Sequence, residues 1–108
     1  MRTQVTEYKE LLPTGQDRIV TRFKRSGKQV VEYSVQYEAL IASRWRVVER
    51  FDNFHGASHR HVYRADKKKY WFPFPYSDNN KALTEAQKLI KSSFQKMKDN
   101  YLMTGKKG

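Results

Sequence analysis

All three histidines of the chain fall within seven residues, in the run Phe51-Asp52-Asn53-Phe54-His55-Gly56-Ala57-Ser58-His59-Arg60-His61. Imidazoles titrate near neutrality, so one can take a proton from a hydroxyl while a second gives one to a leaving group. RNA carries its own nucleophile in the 2′-hydroxyl, and two positioned histidines with a cation suffice in principle to cleave it without metal. His59, His61, Arg60, Asp52 and His55 are the candidate catalytic residues, with Asp52 suited to orient an imidazole and fix its tautomer. Arg60, Arg46 or Arg50 would meet the charge that develops on phosphate. The plain alternative is that Asp52 and Asn53 form a turn and the histidines are half-exposed strand residues. A metal is the other chemistry open to this set, with His59, His61 and Asp52 as ligands. Its spacing selects no particular ion, and it ranks below metal-free acid–base use, with no cofactor expected.

The run must be held by something, and period-two alternation supplies it. Gln29 to Ala39 alternates most clearly: Val31, Tyr33, Val35 and Tyr37 share one face, and Glu32, Ser34, Gln36 and Glu38 the other. Strands are also expected at 18–25, 45–52, 59–64 and 69–74, the last confined to an edge by Pro73 and Pro75. Ser26-Gly27-Lys28 and residues 40–43 would turn the chain, and 53–58 would form a connecting loop. In the third of these strands Trp45, Val47 and Phe51 share a face, with Arg46 and Arg50 opposite. His59 and His61, two apart, project to one side, and Arg60 to the other. A C-terminal helix follows from Leu83, Ala86, Ile90, Phe94, Met97 and Tyr101, which step by three or four residues. Its narrow stripe packs one side on the sheet. The expected fold is α+β: an antiparallel meander of four to five strands with an amphipathic helix on one face. Residues 1–16 are read as an N-terminal arm with a helical turn around Val5 to Leu12, 17–103 as the single domain, and 104–108 as a disordered basic tail.

Composition narrows the partners. The chain has 108 residues, and 22 Lys and Arg against 11 Asp and Glu give a formal net charge of +11. Such an excess favours acidic partners, nucleic acid above all. No apolar run reaches the roughly 20 residues of a membrane span. The start MRTQVTEYKELL lacks the apolar core of a secretory signal, so the expected location is cytoplasmic. The absence of cysteine excludes disulfides, thiolate metal sites and a cysteine nucleophile.

Two surfaces fit nucleic acid. Lys67-Lys68-Lys69 runs into Tyr70, Trp71, Phe72, Phe74 and Tyr76. Lysines can meet phosphates while an aromatic face stacks on unpaired bases. Alternation puts Tyr70, Phe72 and Phe74 on the side expected to pack as core, and leaves Trp71, beside Lys69, as the stacking platform. Arg46, Arg50 and Arg64 extend the cationic surface, and Arg18 with Arg22 forms a second ladder. The simpler account of these arginines is a set of solvated ion pairs with Glu32, Glu38 and Glu49.

The run FDNFHGASHRH resembles the pattern YDN–HGKGDHRH of the TumE-like toxins of prokaryotic toxin–antitoxin pairs. Asp52, Asn53, His55, Gly56, His59, Arg60 and His61 match it. Phe51 stands in place of tyrosine, and Ala57-Ser58 in place of Gly-Asp, which removes an acid. The wider layout is similar over about residues 18–102, but only these eleven residues are specific. The resemblance implies a small toxin that acts on RNA or the ribosome and is neutralised by an antitoxin protein. A non-enzymatic nucleic-acid-binding module, or a protein whose charge serves an acidic protein partner, explains the charge equally well.

Overall fold

The computed structural model describes residues 2–103, without the side chain of His55. Six strands, β1 (Thr3–Leu11), β2 (Asp17–Ser26), β3 (Gln29–Ile41), β4 (Arg44–His55), β5 (Ala57–Tyr63) and β6 (Lys69–Pro73), precede one helix, α1 (Asn79–Met103). The strands pair in sequence order, each antiparallel to the next. The class is α+β, an antiparallel meander with a C-terminal helix on one face, and it has one strand more than expected. No helix among the described residues is long and apolar enough to cross a membrane. The expected tail, 104–108, lies outside the described residues.

The extra strand corrects the N-terminal arm. Residues 3–11 pair along the whole of β2, and no helical turn forms around Val5. This edge strand carries no apolar alternation because its helix-side residues make polar contacts. The Tyr8 hydroxyl accepts from Gln87 Nε2 at 2.7 Å, and Glu10 lies 3.2 Å from Lys91 Nζ.

The core lies between the sheet and α1. Ile19, Tyr33, Val35, Tyr37, Ala39, Val48 and Phe51 face Ala82, Leu83, Ala86, Ile90 and Met97, all essentially buried. Thus the stripe read from Leu83 to Tyr101 is the packed face, with Phe94 and Tyr101 at its margin. Asp78 caps the helix: its Oδ1 accepts from the Asn80 N–H at 2.9 Å. Asn80 Oδ1 in turn accepts from the Val30 N–H at 2.9 Å, and Asn79 Nδ2 donates to the Val30 carbonyl at 3.0 Å. The helix start is therefore tied to the start of β3.

A bulge re-aims the residues of β4. Tyr37 pairs with Glu49 and Glu38 with Val47, so Val48 is an extra residue. Val48 turns into the core while Trp45 and Val47 stay on the open face. Phe51, expected beside them, lies on the helix side and is fully buried. Arg46, paired with Ala39, is also on the helix side, whereas Arg50, paired with Gln36, is on the open face. One inserted residue has separated two arginines that strict alternation would keep together.

The expected 53–58 loop is shorter than read. β4 runs to His55, β5 starts at Ala57, and Gly56 closes the hairpin with φ of +95°. A second register shift lies between Asp52 and His55. Here the Asn53 side chain stands in for the ladder to β3: Oδ1 accepts from the Tyr33 N–H at 2.9 Å, and Nδ2 donates to the Val31 carbonyl at 3.1 Å.

The aromatic run divides. Phe74 and Tyr76 pack against the core, with the Phe74 ring 4.9 Å from Phe51. Tyr70 and Phe72, expected as core with Phe74, are exposed instead. The cause is reach: the backbone of α1 lies over β2 to β5 and stops short of β6.

Candidate functional site

The face of the sheet opposite α1 brings the predicted chemistry together. Register places Asp52 across from His59, Arg50 across from His61, and Trp71 across from His61 on its other side. Arg50, Asp52, His59, His61, Lys69 and Trp71 therefore share one face of three adjacent strands.

Asp52 is the centre of the group. It is 1% exposed, and Oδ2 accepts from Arg50 Nε at 2.9 Å. The same oxygen lies 3.3 Å from His61 Nε2. The N–H direction is not aligned for a hydrogen bond, so His61 feels Asp52 chiefly as a charge. Asp52 Oδ1 also accepts, at 3.4 Å, from the Phe54 N–H in the bulged segment. A buried carboxylate is tolerable only with such partners, because desolvating it alone is costly.

Burial holds the His61 imidazole below its ordinary titration range, and Arg50 and His59 push it the same way. Asp52 opposes them without overcoming them. His61 is thus neutral near pH 7, the state a proton acceptor needs. Nε2 is the ring nitrogen beside the carboxylate, so a tautomer with its hydrogen there would leave the Nδ1 lone pair as the basic site.

His59 packs against Trp71, with ring centroids 4.7 Å apart and planes at 78°. Its Nδ1 is buried with no hydrogen-bond partner among the described residues. Trp71 is 64% exposed and presents most of its surface to solvent. Arg50 retains partial exposure, and its guanidinium lies 6.0 Å from the Tyr63 ring.

Arg60 does not join this group. It projects to the helix side, where Nε and Nη2 donate to the two oxygens of buried Glu49 at 2.6 and 3.1 Å. Arg64, on the same parity of β5, lies on that side too, as does Arg46. Lys67 and Lys68 are in the β5–β6 turn, which Asp66 Oδ1 braces by accepting from the Lys68 N–H at 3.0 Å. The backbone of His55 ends β4, and its side chain lies outside the described structure. Among the described residues no group of three His, Asp or Glu side chains is arranged to hold a metal ion.

Much of the arginine ladder is internally neutralised. Arg18 pairs with Glu38 at 2.7 Å, and Arg22 lies 3.7 and 3.9 Å from Glu7 and Glu32. Ser58, where the resembling pattern carries an acid, is buried with Oγ 2.9 Å from the Tyr33 hydroxyl. That position faces the core, away from the imidazoles.

A family model for a domain of unknown function, DUF7718, matches residues 1–107. The chain belongs to the DUF7718 family. No curated protein and no solved structure matches it. For this DUF7718 chain, function must therefore be argued from the open-face group itself. Sequence reasoning named Arg50 among the arginines that could meet phosphate but could not choose it over Arg46 or Arg60, because the Val48 bulge that separates Arg50 from Arg46 leaves no mark in the alternation. It also missed the structural duties of Asn53 and Ser58, for which burial is the only signal.

Proposed function

We propose that the open sheet face binds single-stranded RNA and cleaves it without metal. The observation that carries this reading is the buried Asp52 carboxylate held between Arg50 and His61, beside the exposed Trp71. His61 Nδ1 takes the proton of a 2′-hydroxyl as that oxygen attacks phosphorus. The bond from phosphorus to the 5′-oxygen breaks, and the His59 imidazole donates a proton to the leaving oxygen. The products are a 2′,3′-cyclic phosphate and a 5′-hydroxyl. Arg50 faces the charge that builds on the phosphoryl oxygens, Trp71 stacks on a neighbouring base, and Lys69 meets a flanking phosphate. Arg60 has no part in the step, because its guanidinium is committed to Glu49 on the far side of the sheet.

The likeness of residues 51–61 to TumE-like toxins supports the same reading and extends it. Such a nuclease would serve as a cytoplasmic toxin held in check by an antitoxin protein, with RNA or the ribosome as its target.

Purified protein incubated with total RNA in EDTA tests the chemistry. Cleavage that is lost in His61→Ala and in His59→Ala supports it. Retained binding without turnover, weakening steeply as salt rises, would leave a nucleic-acid-binding module with Trp71 and Lys69 as its surface.

A further inference from the structure

On the opposite side of the sheet, a cleft opens between α1 and the β5–β6 edge. It measures about 500 Å³ and is lined by Glu49, Arg60, Arg64, Phe72, Pro75 and Asn100, among others. A smaller hollow of about 220 Å³ shares Glu49, Arg60 and Asn100 with it and adds Ser93 and Lys96. The two adjoin along Glu49, Arg60 and Asn100, and together they make a groove whose larger part, at about 500 Å³, is of a size that takes a small ligand.

The polar groups in this groove are unevenly satisfied. Glu49 and Arg60 neutralise one another in a two-bonded pair. Arg64 does not share in that arrangement. Its Nε is buried with no hydrogen-bond partner, and its guanidinium has no carboxylate among the described residues, although Arg18, Arg22, Arg50 and Arg60 each have one. Its guanidinium rests over the Tyr70 ring at 5.7 Å, a contact that gives Nε no acceptor. A desolvated guanidinium N–H with nothing to donate to is costly to keep. Lys96 is exposed without an ion-pair partner among the described residues. Once Glu49 and Arg60 cancel, the groove has two free cations and the Asn100 amide. Phe72, 51% exposed, and two prolines give it an apolar wall.

We infer that this groove binds a nucleoside monophosphate group, with the phosphate on Arg64, Lys96 and Asn100 and the base against Phe72. A dianionic phosphate suits the site better than a carboxylate. It has three acceptor oxygens for the donors that line the groove, and enough charge to bind beside Glu49. The flat Phe72 face accounts for the ring, since stacking is tolerant of which base it meets. The group comes either as a free nucleotide or as the phosphorylated end of an RNA strand. The site is separate from His61 and does not depend on the cleavage proposed there.

Titration of the protein with AMP, followed by amide shifts in ¹H–¹⁵N NMR spectra, tests the inference. Saturable shifts are expected at Arg64, Phe72 and Asn100, with adenosine and inorganic phosphate each binding more weakly than AMP. Arg64→Gln should weaken AMP binding about tenfold or more, as loss of charge-assisted hydrogen bonds does, and Lys96→Gln should weaken it less. Unchanged far-UV circular dichroism would confirm that the variants fold, and the exposed Lys96→Gln change keeps the test open should Arg64→Gln not fold. His61→Ala should leave AMP binding unchanged. Displacement of AMP by RNA carrying a 5′-phosphate, but not by the same strand with a 5′-hydroxyl, would identify a strand end as the source. Failure of both to displace it would identify the free nucleotide. Shifts confined to His59, His61 and Trp71, no saturable shifts, or AMP binding indifferent to Arg64→Gln and Lys96→Gln would overturn the assignment.

Discussion

Asp52 and His61 lie on neighbouring strands with Oδ2 and Nε2 3.3 Å apart, one carboxylate serving both this imidazole and the Arg50 guanidinium. The pair exists because the Val48 bulge turns Arg50 and Asp52 to the open face, and because β5 carries His59 and His61 at one parity. Charge around His61 is balanced against burial, and burial prevails.

That balance makes stability depend on pH in a definite direction. The folded state holds His61 below the ordinary imidazole value of 6.5. As pH falls through that value the unfolded chain takes up the proton first, so the contribution of this group is present above it and lost towards the lower folded value. Urea melts across this window should show wild type losing stability relative to His61→Gln. Asp52→Asn removes the one group that favours the charged imidazole, so the NMR titration of His61 should move lower still. An upward move in that variant would contradict the assignment of forces at this site.

The Glu49–Arg60 pair is structural. Glu49 is nearly buried, and Arg60→Ala would strand its carboxylate. A loss of about 2–4 kcal/mol is expected, at the low side of buried pairs because Arg60 is a third exposed. Cleavage per folded molecule should be unchanged, since the open face is untouched. Chemical denaturation with parallel activity assays checks both halves.

Asn53→Ala removes two bonds that replace strand pairing at the β4 bulge. The Tyr33 N–H is left unsatisfied in a buried position, at a cost of about 1–3 kcal/mol. Asn53→Asp keeps the acceptor for Tyr33 and loses the donor to Val31, yet it introduces a charge. Both should lower the melting temperature, and hydrogen exchange at Tyr33 should rise in Asn53→Ala.

Trp71→Ala separates binding from folding. Its side chain is mostly exposed, so stability should change little. Affinity for single-stranded RNA should fall by about 1–3 kcal/mol, the range for one stacked base. Fluorescence anisotropy with a labelled oligonucleotide, alongside a thermal melt, measures the two effects independently.

The meander was legible wherever one strand face is buried. Tyr33, Val35 and Tyr37 announce β3, and the Leu83-to-Tyr101 spacing announces α1, because burial against a single partner imposes a period. β1 was not legible, since it meets the helix through Tyr8 and Glu10 rather than through apolar side chains. Side-chain direction in β4 was lost at Val48, because a bulge changes parity without any residue that marks it. The same limit governed the site. The shared face of His59 and His61 follows from a spacing of two, and the same spacing turns Arg60 away, although Arg60 was expected among the catalytic residues and is instead paired with Glu49. The arrival of Arg50 beside them depends on the bulge. Tyr70 and Phe72 were misjudged for another reason, because the extent of α1 across the sheet is set by tertiary packing and not by local pattern.

The account rests on His61 acting as a base on a 2′-hydroxyl. The most direct measurement uses a short fluorescent RNA, and a copy with one 2′-deoxy position, in EDTA, with products resolved by mass. Wild type should release a fragment ending in a 2′,3′-cyclic phosphate, leave the linkage 3′ of the deoxy position intact, and lose about 100-fold or more of its rate in His61→Ala, as expected for removal of a general base. Cleavage at the deoxy position, or a rate that survives His61→Ala, would contradict it.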